Sequence, residues 1–176
     1  DPTRLSKRSA IDALWRRAVL HWKLDKNQLE MHNYACNTEH KIIVVGSSRQ
    51  LGKSFWLCTL AIETCLKKPF QIVKFIAPKV KDIKRIISPL IREITSDCPQ
   101  DLKPQYKTQE HIFRFPNGSE IQLAGTDNGH AESIRGNKAD LCIIDEAGFC
   151  DDLEYIVNSV LLPTTTTTGG KIVMAS

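Results

Sequence analysis

The stretch Lys41-Ile42-Ile43-Val44-Val45-Gly46-Ser47-Ser48-Arg49-Gln50-Leu51-Gly52-Lys53-Ser54 decides the fold. Its first part, Lys41 to Val45, is rich in β-branched residues, as in strands buried on both faces. A polar, glycine-containing loop follows, and from Lys53 to about Leu66 the pattern is helical. Strand, glycine loop and helix is the context in which backbone N–H groups and a helix N-terminus cradle phosphates. There a lysine supplies mobile positive charge and a serine hydroxyl can ligate Mg²⁺. Ser47, Ser48, Arg49, Gln50, Leu51, Gly52, Lys53 and Ser54 are therefore read as a phosphate-binding loop. The strict GxxxxGK[ST] spacing is not met, because Ser47 stands five before Gly52 and Gly46 comes one residue too early. A chance Gly-Lys-Ser at a helix start is the competing reading, and the preceding strand weighs against it.

The second signal is Leu141-Cys142-Ile143-Ile144-Asp145-Glu146. A carboxylate at the C-terminal tip of a parallel strand beside a phosphate loop can hold Mg²⁺ through water, and the next carboxylate can polarise an attacking water. Between the two signals the pattern gives a strand from Gln71 to Ile76 and a basic helix from Val80 to Ile94, interrupted or started near Ser88-Pro89. Ile112–Phe115 and Glu120–Ala124 alternate in polarity around Asn117-Gly118, a hairpin signal. A helix over Asp151–Leu161 and a last strand over Lys171–Ala175 complete the pattern. The expected fold is α/β, with a mostly parallel central sheet flanked by helices and a β-hairpin as an antiparallel excursion.

At the front, Ser6 to Leu24 places Ile11, Leu14, Trp15, Ala18 and Trp22 on one helical face. Residues 1–23 are thus expected to form an N-terminal amphipathic helical segment packed on a main domain spanning 24–176. Net charge is +4, but it is unevenly spread: +5 over residues 1–60 (ten Lys/Arg, five Asp/Glu), +4 over 61–110 (ten, six) and −5 over 111–176 (four, nine). Such asymmetry fits a polyanion-binding surface set apart from a carboxylate-bearing site, or simply solvated helix faces. Apolar residues at 41% exclude general disorder. The apolar runs fall far short of the ~20 residues that cross a bilayer, and no signal sequence is evident. Six cysteines without CxxC spacing read as reduced core residues of an intracellular protein rather than a zinc site.

Ser48-Arg49-Gln50-Leu51-Gly52-Lys53-Ser54, Phe115-Pro116-Asn117-Gly118-Ser119-Glu120-Ile121, Ser133-Ile134-Arg135-Gly136 and Ile143-Ile144-Asp145-Glu146-Ala147 follow in that order. This succession resembles the ATPase domain of large terminase subunits, the DNA-packaging motors of tailed bacteriophages, over roughly residues 24–176. A variant phosphate loop with Arg-Gln before its last glycine is characteristic of that family. The resemblance implies a P-loop NTPase fold of the RecA/ASCE-like kind.

It also implies ATP and Mg²⁺ as ligands, with Lys53 on the β/γ-phosphates, Ser54 and Asp145 at the metal, and Glu146 as general base. Gln28 matches the upstream glutamine that recognises adenine. Arg135 resembles a finger presented to a neighbouring subunit, Arg49 is the candidate nucleotide sensor within its own subunit, and either could instead be structural, Arg135 pairing with Asp140. Ser176 falls where the family carries its coupling motif. The implied partners are double-stranded DNA, a portal protein, a small terminase subunit and further copies in a ring, in the host cell cytoplasm. Asp151, Asp152 and Glu154 read as a helix start rather than a nuclease metal site, so nuclease activity is not expected from these residues. A nucleic-acid helicase or translocase, and a nucleotide-gated binding module with little turnover, are the alternatives.

Overall fold

The structure, a computed structural model, describes residues 2–48, 52–136 and 138–176. Its centre is a seven-stranded sheet of order β1-β7-β6-β2-β5-β4-β3. The strands are β1 (Ile42–Val45), β2 (Ile72–Ala77), β3 (Gln105–Lys107), β4 (Ile112–Arg114), β5 (Glu120–Gly125), β6 (Leu141–Ile144) and β7 (Lys171–Ala175). β1, β7, β6, β2 and β5 are mutually parallel, while β4 and β3 add an antiparallel flap at one edge. This confirms the expected mostly parallel α/β sheet with its hairpin at Asn117-Gly118. Gly118 takes φ 85° at the turn, a conformation open to glycine at little cost.

Alternate residues of the central strands feed two cores, which is why those strands read as continuous apolar runs. By contrast β1, expected to be buried on both faces, is an edge strand that buries Ile43 and leaves Ile42 and Val44 exposed. Val73, Phe75, Ile121, Ile143 and Val173 pack under α1 (Pro2–Arg16), α2 (Lys26–Asn37), α3 (Lys53–Lys67) and the helix spanning 80–94. Ile76, Ala124, Cys142, Ile144 and Ile172 pack under the helix spanning 153–165. The helices spanning 80–94 and 153–165 each contain a π-helical stretch, Ile83–Ile87 and Ile156–Leu161, a feature common near functional sites. The basic helix runs through Ser88-Pro89 without a break, because Pro89 follows a π stretch whose wide turn leaves room for its ring.

The N-terminal helix is shorter than its apolar periodicity suggests. It stops at Arg16, where Ala18 adopts φ 55° and the bonds Ala18 N–H to Trp15 O and Val19 N–H to Leu14 O close a Schellman cap. Trp15 and Leu20 are buried in the first core, while Trp22 lies exposed in a short 3₁₀ turn, His21–Lys23. The segment therefore packs on the main sheet's helical layer through Ile11, Trp15, Ala18 and Leu20, while Trp22 of the expected face turns outward. The run of threonines is not a loose loop: the hydroxyls of Thr164 and Thr165 donate to Leu161 O and Leu162 O as the helix ends.

Among the described residues no helix is long and apolar enough to cross a membrane. All six cysteines are free thiols, and no cluster of potential metal ligands forms among the described residues. Cys36, against expectation, is exposed rather than in the core.

One close approach sets the geometry at the active edge. A β-carbon on Gly125, at the end of β5, would stand 2.7 Å from the Lys79 carbonyl carbon and closer still to Val80 N. Val80 N–H donates to Asp127 Oδ1 there, seating the helix spanning 80–94. Gly125→Ala is expected to destabilise the fold by more than about 2 kcal/mol, since backbone cannot yield as a side chain can. A chemical denaturation midpoint equal to that of the unsubstituted chain would contradict this.

Candidate active site

The C-terminal ends of the parallel strands gather the chemistry along one edge, where open α/β sheets bind ligands. β1 leads into the phosphate loop, and α3 starts with Gly52 as its N-cap in the left-handed region, φ 60° and ψ 36°. Lys53 is 5% exposed, and its ammonium donates to Ser47 O at 2.9 Å. Ser54 Oγ donates to Asp145 Oδ2 at 2.6 Å across 91 positions of sequence. The phosphate loop and the acidic strand tip thus meet, although β7 lies between β1 and β6.

Asp145 is 3% exposed. Burial pushes its carboxyl above the ordinary value and Glu146 adds to the rise, while the Ser54 hydroxyl, the Glu146 N–H and Lys53 oppose it. Its second oxygen accepts the Glu146 N–H at 2.9 Å. Glu146 itself sits at φ 49°, ψ 47°, a left-handed conformation that costs a non-glycine residue about 1–2 kcal/mol. Strain of this kind persists where surrounding structure over-determines it, typically at functional turns. Here it turns the side chain out of the sheet line into a cavity of about 660 Å³ lined in part by Ser54, Lys79, Asp82, Asp145 and Phe149.

Ser176 ties these parts together. Its N–H donates to Val45 O, its carbonyl accepts from Ser47 N–H, and its hydroxyl accepts from Gly148 N–H at 3.2 Å. One residue at the tip of β7 therefore touches both the phosphate loop and the turn that carries Glu146. A β-carbon at Gly148 would come 2.8 Å from Ser176 Oγ and push that hydroxyl aside.

Gln28 reaches the site from the first turn of α2. Asp25 caps α2, accepting from Gln28 N–H at 2.8 Å, and Gln28 Oε1 accepts from Asp25 N–H at 2.9 Å. This reciprocal capping box leaves Gln28 Nε2 to donate to Gly52 O at 3.0 Å. The signal that could have shown this helix is Asp25 followed three residues later by Gln28. Ser48 is exposed beside Ser47, and Arg49, Gln50 and Leu51 lie outside the described residues.

Arg135 is placed apart from this cluster. Its guanidinium bonds Glu132 at 3.2 Å, the Tyr155 hydroxyl at 3.3 Å and Ser159 O at 3.1 Å, half exposed beside a separate cavity. The alternative pairing with Asp140 is not found, because Asp140 Oδ2 is engaged by Ile72 N–H at 2.8 Å. Asp151 and Asp152 precede the helix spanning 153–165, with Asp152 as its left-handed N-cap.

The donor set fits magnesium and a nucleoside triphosphate. The Ser47 hydroxyl is buried without a hydrogen-bond partner among the described residues, and Lys53 spends its charge on a carbonyl. The Ser54 hydroxyl and Asp145 carboxylate form a hard-oxygen pair of the type Mg²⁺ prefers. The fifteen-residue α3 directs its N-terminus at the same place.

Comparison with known proteins agrees with this geometry. The structure is similar to the ATPase domain of the Thermus phage P74-26 large terminase, with TM-score 0.66 and 20% identity over 89% of this chain and 66% of that one. It is also similar to the large terminase of a thermophilic bacteriophage, with TM-score 0.70 and 14% identity over 86% of this chain and 38% of that one. For the HK97 bacteriophage large terminase the values are 0.67 and 13%, over 86% and 32%. The chain thus spans about two thirds of the Thermus phage domain and little more than a third of the longer terminases. The thermophilic bacteriophage protein is also known in complexes with ADP and with ATP-gamma-S. No curated protein matches the chain in sequence. Residues 44–156 match the family described as terminase large subunit, T4likevirus-type, N-terminal; with well over half its length inside that match, the chain belongs to the large terminase family and carries its P-loop ATPase fold.

Proposed function

We propose that this domain hydrolyses ATP in a Mg²⁺-dependent reaction and that the turnover drives double-stranded DNA into a procapsid. The observation that carries the reading is the Ser54–Asp145 hydrogen bond, which unites the phosphate loop with the acidic strand tip. When bound, Mg²⁺ neutralises charge developing on the phosphoryl oxygens. Ser54 and Asp145 would hold it, exchanging their mutual bond for metal contacts. Lys53 would leave Ser47 O for the β/γ-phosphates, a swap of one acceptor for a more strongly charged one. Glu146, held apart from Asp145 by its left-handed turn, would take the proton of the attacking water.

Further roles follow the same logic. Gln28 would offer its amide to the adenine edge, Arg49 would sense nucleotide in its own subunit, and Arg135 would serve a neighbouring subunit in a ring. An exposed guanidinium, held at the surface by Glu132 and Tyr155, is suited to such a role across an interface. Ser176 would couple phosphate release to movement, since it bonds both the loop and the catalytic turn. A portal protein, a small terminase subunit and the host cytoplasm are the expected setting.

For DNA, the exposed face of the helix spanning 80–94 is favoured. Lys81, Lys84 and Arg85 are exposed on it. The carbon of the Arg92 guanidinium instead lies 5.0 Å from the centroid of the Tyr106 ring. His111 is held below the usual imidazole value by burial and by the charge of Lys84 and His130, which marks this neighbourhood as cationic. Contacts of this type engage phosphates without reading sequence.

Lys53→Ala is expected to abolish ATP binding and turnover; undiminished hydrolysis would refute the phosphate-loop assignment. Glu146→Gln should retain ATP but lose about 10²–10⁴ in kcat, the usual worth of a general base. Wild-type turnover in that variant would remove the role, and intact function without turnover would instead favour the nucleotide-gated module. Replacing Lys84 and Arg85 together by Ala should weaken duplex binding regardless of sequence and reduce the slope of log K against log salt by about 2. An unchanged slope would place the DNA surface elsewhere.

A further inference from the structure

One face of α2 carries Gln28, His32 and Cys36 at successive four-residue steps, and the first two turn toward α3 or its cap. Gln28 meets Gly52, the N-cap of α3. One turn on, His32 is 3% exposed and Glu63 of α3 is 2% exposed, yet both are polar. His32 Nε2 lies 2.8 Å from Glu63 Oε2, and His32 Nδ1 accepts the indole N–H of Trp56, also on α3, at 3.3 Å. The other Glu63 oxygen accepts the Leu20 N–H at 2.7 Å, so the N-terminal segment is tied to the same point. Cys36 Sγ rests 3.7 Å from the imidazole at the end of the row.

A buried polar seam of this kind is poor glue and a good ruler. Apolar side chains of the same volume would hold two helices together at least as well, whereas directional bonds admit a single register between them. Here the register has a reader at its end. Gln28 Nε2 packs so closely on Gly52 that a side chain at position 52 would run into it. Sliding α2 by a fraction of a turn would carry the amide off the phosphate loop.

The protonation state follows from the donors. Burial lowers the proton affinity of His32, while Cys36 and Glu63 raise it. The Trp56 indole opposes a charged ring, because a proton on Nδ1 would face another donor at 3.3 Å. The bonds as they stand describe the neutral ring with its proton on Nε2, donating to Glu63. Burial works against the Glu63 charge, but His32 and the Leu20 N–H outweigh it and hold its carboxyl below the ordinary value. A glutamine can imitate this ring, accepting from Trp56 through its oxygen and donating to Glu63 through its nitrogen.

We propose that His32, locked between Trp56 and Glu63, is a positioning residue for base recognition: it sets the register of α2 on α3 that places the Gln28 amide over the phosphate loop. The proposal rests on the reading of Gln28 as the adenine-recognising residue. It makes adenine selectivity depend on a side chain that touches no nucleotide.

The test is equilibrium binding of ATP and of GTP to this chain by calorimetry, beside a thermal melt of each variant. In the unsubstituted chain ATP should bind more tightly than GTP. His32→Leu should weaken ATP about tenfold, the scale of a buried hydrogen bond lost, and remove the preference over GTP. His32→Gln should restore both. Gln28→Leu should show the same loss, and Gln28→Leu with His32→Leu no more than either alone, since both act through one amide. If His32→Leu does not fold, Trp56→Phe, which removes the indole N–H from the seam and leaves a cavity whose cost the melt reads separately, is expected to give the same loss of preference. A folded His32→Leu or Trp56→Phe protein that keeps the ATP affinity and the preference, while Gln28→Leu loses them, overturns the proposal and leaves the role of Gln28 standing. No preference for ATP in the unsubstituted chain overturns that role and the proposal together. ATP binding that survives Lys53→Ala would instead condemn the phosphate-loop reading beneath both.

Discussion

The hydrogen bond from Ser54 to Asp145 joins two ends of the chain that share no local interaction, and the site exists only because the sheet brings them together. For the bond to form, the tips of β1, β7 and β6 must end level with one another. The parallel register achieves this: Val45 is opposite Ala175, and Ile144 opposite Met174. A slip of one residue in either pairing would turn every side chain of the strand to the other face. Two apolar cores, one on each side of the sheet, make such a slip costly. The packing of strands remote from the chemistry therefore sets the distance on which the chemistry depends.

The same edge carries the molecule's local tension. Asp145 is a carboxylate taken almost entirely out of water, steadied by one hydroxyl and one backbone N–H. Glu146 and Asp152 both adopt left-handed backbone conformations, and the helices spanning 80–94 and 153–165 carry π-helical stretches. Gly125 permits backbone contact at the cavity wall. These features oppose stability when taken singly; Asp145, Glu146 and the π-helical stretch of the helix spanning 80–94 lie at the cavity itself. Ser176 is the mechanical junction of the edge, because changes at either the phosphate loop or the Glu146 turn alter its hydrogen bonds.

Much of the architecture was legible because it rests on short-range pattern. The β-branched run before the glycine loop, the apolar run before Asp145-Glu146 and the Asn117-Gly118 turn all declare themselves locally. α2 did not, because its buried residues are mostly polar: Gln28 and His32, beside Ala35, stand where apolar periodicity is sought. β3 is three residues long and gains its identity only from pairing with β4. The end of α1 was obscured since its left-handed cap is an alanine where glycine is the usual marker. Cys36 looked like a core thiol and proved exposed. Arg135 carried no local clue to its partners, and found Glu132, Tyr155 and Ser159 in place of Asp140.

By itself the order of residues named the groups of the candidate site: an ammonium and a hydroxyl at the helix start that follows one apolar strand, and two carboxylates just past the tip of another. Strand periodicity and loop chemistry act over a few residues, so they can be read without coordinates. Only the tertiary structure decided that β7 lies between the two signature strands, that Ser176 bridges them, and that the imidazole of the helix bearing Gln28 is buried between Trp56 and Glu63. Those outcomes depend on which surfaces close on one another across dozens of residues. Burial, shared hydrogen bonds and register arise from that closure and from nothing shorter.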